Sequence, residues 1–185
     1  MCMIIRTGPS ATRTGGLANE ADNGAVMQKV TILVDAQNVY YTTKQAYRCG
    51  FDYNEFWKRA TADRELVRAI AYSSERGDPR QRQFQNILRA IGFDVKLKPY
   101  IQRQDGSSKC DWDVGITIDA LEAAKDSSVV VLVSGDGDFD VLLEKLTVDL
   151  NVETEVYGVP GLTAASLIKA ASRYVPIANG LLLHN

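Results

Sequence analysis

From Lys29 onward, hydrophobic positions fall into short blocks that switch between strand and helix periodicity. Two blocks are nearly continuous: VTILV at 30–34, inside KVTILVDAQN, and VVVLV at 129–133, inside VVVLVSGDGDFD. Runs of this kind read as central parallel strands buried on both faces. The predicted strands are 29–35, 65–74 (ELVRAIAYSS) and 128–133. FDVKLKPYI and VETEVYGV (152–159) alternate apolar and polar residues, as strands nearer an edge do, and YVPI is a short closing strand. Helical stretches fill the gaps. The first is in two pieces around Cys49-Gly50, with Asn54 as the cap of the second. The next spans about 80–91, enters through Gly77-Asp78-Pro79, places Phe84, Ile87, Leu88 and Ile91 on one face and ends at Gly92. Others are expected at 111–125 and 139–146, and from Thr163 as cap to about Ser172, while QRQDGSSK reads as a polar loop. Strands alternating with helices at these spacings predict a three-layer α/β fold with a mostly parallel central sheet flanked by helices.

The chain of 185 residues suits one domain, and its 45% hydrophobic content supplies a core. No apolar run approaches the roughly 20 residues of a membrane span. Residues 1–27, rich in Gly, Ser, Thr, Ala and Asn, are expected to be a disordered extension, with Met27 as a candidate functional start. The domain is then 28–178 and the C-terminal tail 179–185. Three cysteines without a CxxC pair point to a reducing, cytoplasmic setting and to no zinc site. The single histidine, His184, stands beside the C-terminus. That position excludes a Ser-His-Asp triad, a Cys-His pair and a histidine-based nuclease, all of which need an imidazole within the fold. Any catalysis is left to carboxylates and a metal.

Net charge is −2, yet the charges are sorted. Arg64 to Lys109 holds ten basic residues against five acidic, and Cys110 to Glu155 holds twelve acidic against two basic. An acidic centre beside a basic flank is implied. Asp35 and Asp136 each leave the C-terminal end of an apolar strand, where open α/β sheets place their sites. Close carboxylates need a cation or a proton to coexist, and Mg²⁺ or Mn²⁺ suits oxygen ligands. The helix opening at Asp111 begins on the same side of the sheet, which brings Asp113 to the cluster and leaves Asp119 about 9 Å further along the axis. Asp111 reads mainly as a helix cap and Asp140 as a partner of the helix dipole. Asp138 is a ligand, a cap or both. DGDFD has calcium-loop spacing, but Val141 and Thr147 stand where glycine and a bidentate glutamate are required, which rules out an EF-hand. Asn38 either donates to a phosphate or holds Asp35, and Ser134-Gly135 form the turn that aims Asp136, with backbone N–H groups able to face an anion.

ILVDAQN, then CDWDVGITIDAL, then VVVLVSGDGDFDVLLEKL, in this order and with strands before the first and third, resemble the NYN domains, a branch of the PIN-like nucleases, and within them the bacterial LabA-like group. The resemblance covers about 29–177 and implies a PIN-like fold and metal-dependent endoribonuclease activity. It carries the family's acidic positions onto Asp35, Asp113, Asp136 and Asp138, with Asn38 and Asp119 also matching. Two departures are visible. The family's lysine three residues before the helix aspartate is Cys110 here, with Lys109 adjacent, and Ala171-Ser172 replaces an Ala-Asp. With RNA as the implied partner, Lys109, Arg103 and Arg80 are candidates for the phosphate backbone, and Tyr40, Tyr41 and Trp112 for base stacking. The alternative is a non-catalytic RNA-binding or regulatory module that keeps the acidic site. A small-molecule phosphatase is disfavoured, because DAQN lacks the second aspartate of a DxD nucleophile motif.

Overall fold

A computed structural model describes residues 27–75, 77–99, 101–102, 108–109 and 111–183, the two short stretches by backbone alone. The expected N-terminal extension, apart from Met27, lies outside the described residues. Elements follow in the order β1 (Gln28–Asp35), α1 (Ala36–Tyr47), α2 (Tyr53–Thr61), β2 (Arg64–Glu75), α3 (Pro79–Ile91), β3 (Asp94–Pro99), β4 (Ile101–Gln102), β5 (Ser108–Lys109), α4 (Asp113–Ala123), β6 (Val129–Val133), α5 (Asp140–Glu144), β7 (Glu153–Gly158), α6 (Ala165–Ala170) and β8 (Arg173–Pro176). Six strands form one sheet in the order β3-β2-β1-β6-β7-β8, and every pairing in it is parallel.

The two continuous apolar runs are the two central strands, and their alternate residues serve opposite cores. Val30, Ile32 and Val34, with Val129, Val131 and Val133, face Val39, Phe56 and Leu88 from α1, α2 and α3. Leu33, Val130 and Leu132 face Ile116, Leu142 and Leu167 from α4, α5 and α6. This is the expected three-layer arrangement. Each fully buried aliphatic side chain contributes on the order of 2 kcal/mol.

Helix ends follow local chemistry, with some departures from expectation. Asp78 accepts from Arg80 N, Pro79 fills the first helical position, and Gly92 closes α3 at φ 127°, where a Cβ would also strike Trp57. Asp52, not Asn54, caps α2 by accepting from Asn54 N and Glu55 N. The cap position of α4 is Trp112, without a side-chain cap bond, one residue beyond the Asp111 expected there. Thr163 donates to Val159 O instead of capping α6, which is shorter than predicted. Ile87, expected inside, is 47% exposed, while Gln85 is buried and donates to Ser74 O. The stretch expected as one helix over 139–146 is a 3₁₀ turn, the short α5 and a π turn to Asp149. The polar loop after β3 contains the small antiparallel pair β4–β5. Residues 179–183, expected as a tail, pack onto the domain. Leu181 is buried and accepts from Asp52 N, and Leu183 N donates to Gly50 O.

Candidate active site at the central strand ends

The sheet order places a topological switch point between β1 and β6. The chain runs outward from β1 to β2 and β3, then returns to β6 and runs outward the other way. Open parallel sheets bind ligands outside the strand ends at such a point. Val34 pairs with Val133, and the next residue of β1 is Asp35, so Asp35 and the turn leading to Asp136 emerge side by side.

Both carboxylates are fixed by the turns they begin. Asp35 Oδ1 accepts from Gln37 N at 3.2 Å and Asn38 N at 3.0 Å, capping α1. Asp136 Oδ1 accepts from Asp138 N at 3.0 Å, capping the 3₁₀ turn. The two turns are tied together by Asn38, whose Oδ1 accepts from Gly135 N at 2.9 Å. Gly135 is buried, and a Cβ on it would lie 2.6 Å from Leu162 O, a backbone atom that cannot yield. Asp113 opens α4 from the other side of the sheet.

The electrostatics show which carboxylates meet. The pKa of Asp35 is pushed from 3.8 up to about 6, first by burial, with the Asp113 carboxylate and then that of Asp136 adding repulsion against its two backbone hydrogen bonds. Asp35, Asp113 and Asp136 are thus one interacting set. Asp138 is exposed, within the 3₁₀ turn that Asp136 caps. Among the described residues no three His, Cys, Asp or Glu side chains already converge on one metal-sized point. The donor set nonetheless suits a hard divalent cation: all oxygen, negatively charged and mutually repelling. Mg²⁺ in particular is held by one or two carboxylates, with water and substrate oxygens filling its shell.

The remaining candidates separate. Asn38 is a clamp between α1 and the β6 turn. Ser134 is 1% exposed, and its Oγ accepts from Asp136 N at 3.2 Å, so its side chain holds the turn that presents Asp136. Asp119 is buried, accepting from Tyr72 Oη at 2.6 Å and from Lys96 Nζ at 2.7 Å, and anchors α4 behind Asp113. Trp112 Nε1 donates to Ser73 O and its ring packs near Tyr72, so it is an anchor, not a free stacking platform. Asp140 Oδ1 accepts from Val141 N at the start of α5. Arg80 is exposed beside the strand ends, at the start of α3. Arg103 and the side chain of Lys109 lie outside the described residues. Two nearby residues were not singled out from the sequence: Gln37, and Lys98, whose Nζ donates to Asp111 O and lies 5.4 Å from the Trp112 ring centroid. Lys98 carried a signal only in the strand alternation that points it outward.

Known proteins agree with this architecture. The chain is 28% identical over 159 residues to the Low amplitude and bright protein LabA of Synechococcus elongatus, covering 80% of this chain and 83% of that protein. It is similar in structure, with TM-score 0.81 and 56% identity, to a protein of unknown function from Vibrio parahaemolyticus, over 85% of this chain and 97% of that one. Among the described residues no helix is long and apolar enough to cross a membrane. Residues 29–178 match the NYN domain, and the chain belongs to that family.

Proposed function

We propose that this protein is a metal-dependent endoribonuclease that cuts RNA phosphodiester bonds at the cleft between β1 and β6. The observation that carries the reading is Asp35 at the switch point, its pKa pushed up to about 6 first by burial and then by the neighbouring Asp113 and Asp136 carboxylates. Asp35, Asp113 and Asp136 would hold Mg²⁺ or Mn²⁺, with Asp138 in the turn that Asp136 caps. Such an ion supplies Lewis acidity toward the phosphodiester and toward water. The chain does the rest. Asn38, Ser134 and Gly135 lock the two turns, so that the carboxylates are presented without reorganisation. Asp119, through Lys96 and Tyr72, fixes the helix that carries Asp113. Arg80, with Arg103 and Lys109, draws the RNA backbone toward the cleft by charge. A reducing cytoplasm is the proposed setting, on three cysteines without a CxxC pair.

The test is single-turnover cleavage of a labelled RNA with and without Mg²⁺ or Mn²⁺. Asp136→Asn should lose at least about 100-fold in rate while keeping the wild-type melting temperature within a few degrees. Cleavage by Asp136→Asn at the wild-type rate would refute the assignment. The rival is a module that binds RNA at the same surface and does not cut it. RNA binding without metal-dependent cleavage would establish that reading instead.

A further inference from the structure

Next to the acidic centre lies a cavity of about 450 Å³, walled by Ala36, Gln37, Tyr40, Ser73 and Phe84, with Arg80 at its rim. Ala36 and Gln37 directly follow Asp35, and Ser73 follows Tyr72, the residue paired with Asp35, so the cavity adjoins the proposed cleavage centre. Its back wall is built to hold shape. Gln81 Nε2 donates to Ser74 O at 2.6 Å, and Gln85 Nε2 donates to the same oxygen at 3.4 Å, pinning the start of α3 to the end of β2. Two features of this wall bear on what it holds. Tyr40 is 56% exposed at the cavity, its ring meeting the Tyr41 ring edge-on at 5.4 Å. Gln37 Oε1 is a buried acceptor without a hydrogen-bond partner among the described residues. Leaving such an atom unpaired is costly, and replacing it by an apolar group is close to neutral, so an acceptor kept there is best explained by a ligand that donates to it.

The geometry points to a nucleobase subsite, in which Tyr40 stacks on one base of the RNA and Gln37 Oε1 accepts from an N–H on that base's Watson–Crick edge. The inference rests on the nuclease reading for its substrate and names what that site grips beside the scissile phosphate. Tyr40, Tyr41 and Phe84 among the walls suit a base, and Arg80 at the rim is left for the adjoining phosphate. The terminal torsion of a glutamine is soft, so its amide turns to meet an incoming donor.

Uracil gives a sharp probe, because N3–H is its only Watson–Crick donor. Fluorescence anisotropy in EDTA would compare a dodecamer of uridine with one of N3-methyluridine. Wild-type protein should bind the methylated oligomer about 5- to 100-fold more weakly, the range for one buried hydrogen bond. Gln37→Leu should bind the two oligomers equally, and its melting temperature should not fall. Tyr40→Ala should weaken both by about 5- to 100-fold, as loss of one stacked base does. Equal wild-type affinities, a methylation penalty undiminished in Gln37→Leu, an unaffected Tyr40→Ala, or no binding of the uridine oligomer would each overturn the subsite. Asp136→Asn separates this outcome from that of the nuclease reading. It should keep the full methylation penalty although it does not cleave. A penalty seen in protein that cuts no RNA leaves the subsite standing and removes the nuclease. Asp136-dependent cleavage without any penalty does the reverse.

Discussion

Replacing Asp35 by Asn should stabilise the metal-free protein, and by an amount that depends on pH. In the folded chain the Asp35 carboxyl is raised from 3.8 to about 6, with burial as the main cause and the Asp113 and Asp136 charges adding to it. Between those two values the folded state holds a proton that the unfolded chain has released. Stability therefore falls as pH rises through this window, and the full cost is present above it. A shift of about two units corresponds to about 3 kcal/mol near neutral pH and to less than about 1 kcal/mol at pH 4. Asn keeps an acceptor oxygen for Gln37 N and Asn38 N but carries no charge, so the cap survives and the repulsion does not. Urea melts in EDTA at pH 4 and pH 7.5 measure the difference. With an m value of roughly 3 kcal/mol/M, the Asp35→Asn midpoint should lie up to about 1 M above wild type at pH 7.5 and close to it at pH 4. Saturating Mg²⁺ or Mn²⁺ should narrow the neutral-pH gap, because it stabilises only the protein that keeps the full carboxylate set. An Asp35→Asn variant that is less stable than wild type at pH 7.5, or a gap that does not grow with pH, would show that Asp35 is not held against a burial and charge penalty.

Three further outcomes test the scaffold. Asn38→Ala leaves Gly135 N without its acceptor and should lower stability by about 1–3 kcal/mol in urea melts, with a loss of RNA cleavage that Asn38→Asp does not fully restore. Asp119→Ala removes the partner of Lys96 and Tyr72 Oη; because Lys96 is 38% exposed, the cost should be about 2 kcal/mol rather than that of a fully buried pair, again read from urea melts. Gly135→Ala drives a Cβ against Leu162 O, and thermal melting should show either a fall of several degrees or no cooperative transition.

The sheet was legible because its centre obeys a local rule. Strands covered on both faces carry continuous apolar runs, and Val30–Val34 and Val129–Val133 were the plainest such runs in the chain. Their order and spacing implied that Asp35 and Asp136 leave neighbouring strand ends, and the register places Val34 against Val133. The start of α3 was equally local, since Asp78 and Pro79 act within one turn. Edge strands announced themselves by alternation, as β3 did. In each case the information lies within a few residues and the tertiary structure does not override it.

What stayed hidden depends on partners far along the chain. Asn38 and Gly135 are 97 residues apart, so the sequence could leave Asn38 open between phosphate donor and clamp but could not choose. Ser134 draws notice because it precedes Asp136; its hydroxyl is engaged by the turn that presents the aspartate, and burial follows from β7 lying alongside, with Ser134 N donating to Tyr157 O. Leu181 and Leu183 read as a tail because three apolar residues after a Gly show no period; their role appears only when Gly50 and Asp52 supply hydrogen-bond partners from the other end of the domain. Gln37 is the sharpest case. Nothing in DAQN distinguishes its side chain from any polar residue of a first helical turn, because its significance is a bond left unmade among the described residues. Sequence pattern reports where side chains go, whereas a binding site is defined partly by what a buried group lacks, and that is visible only once every neighbour is in place.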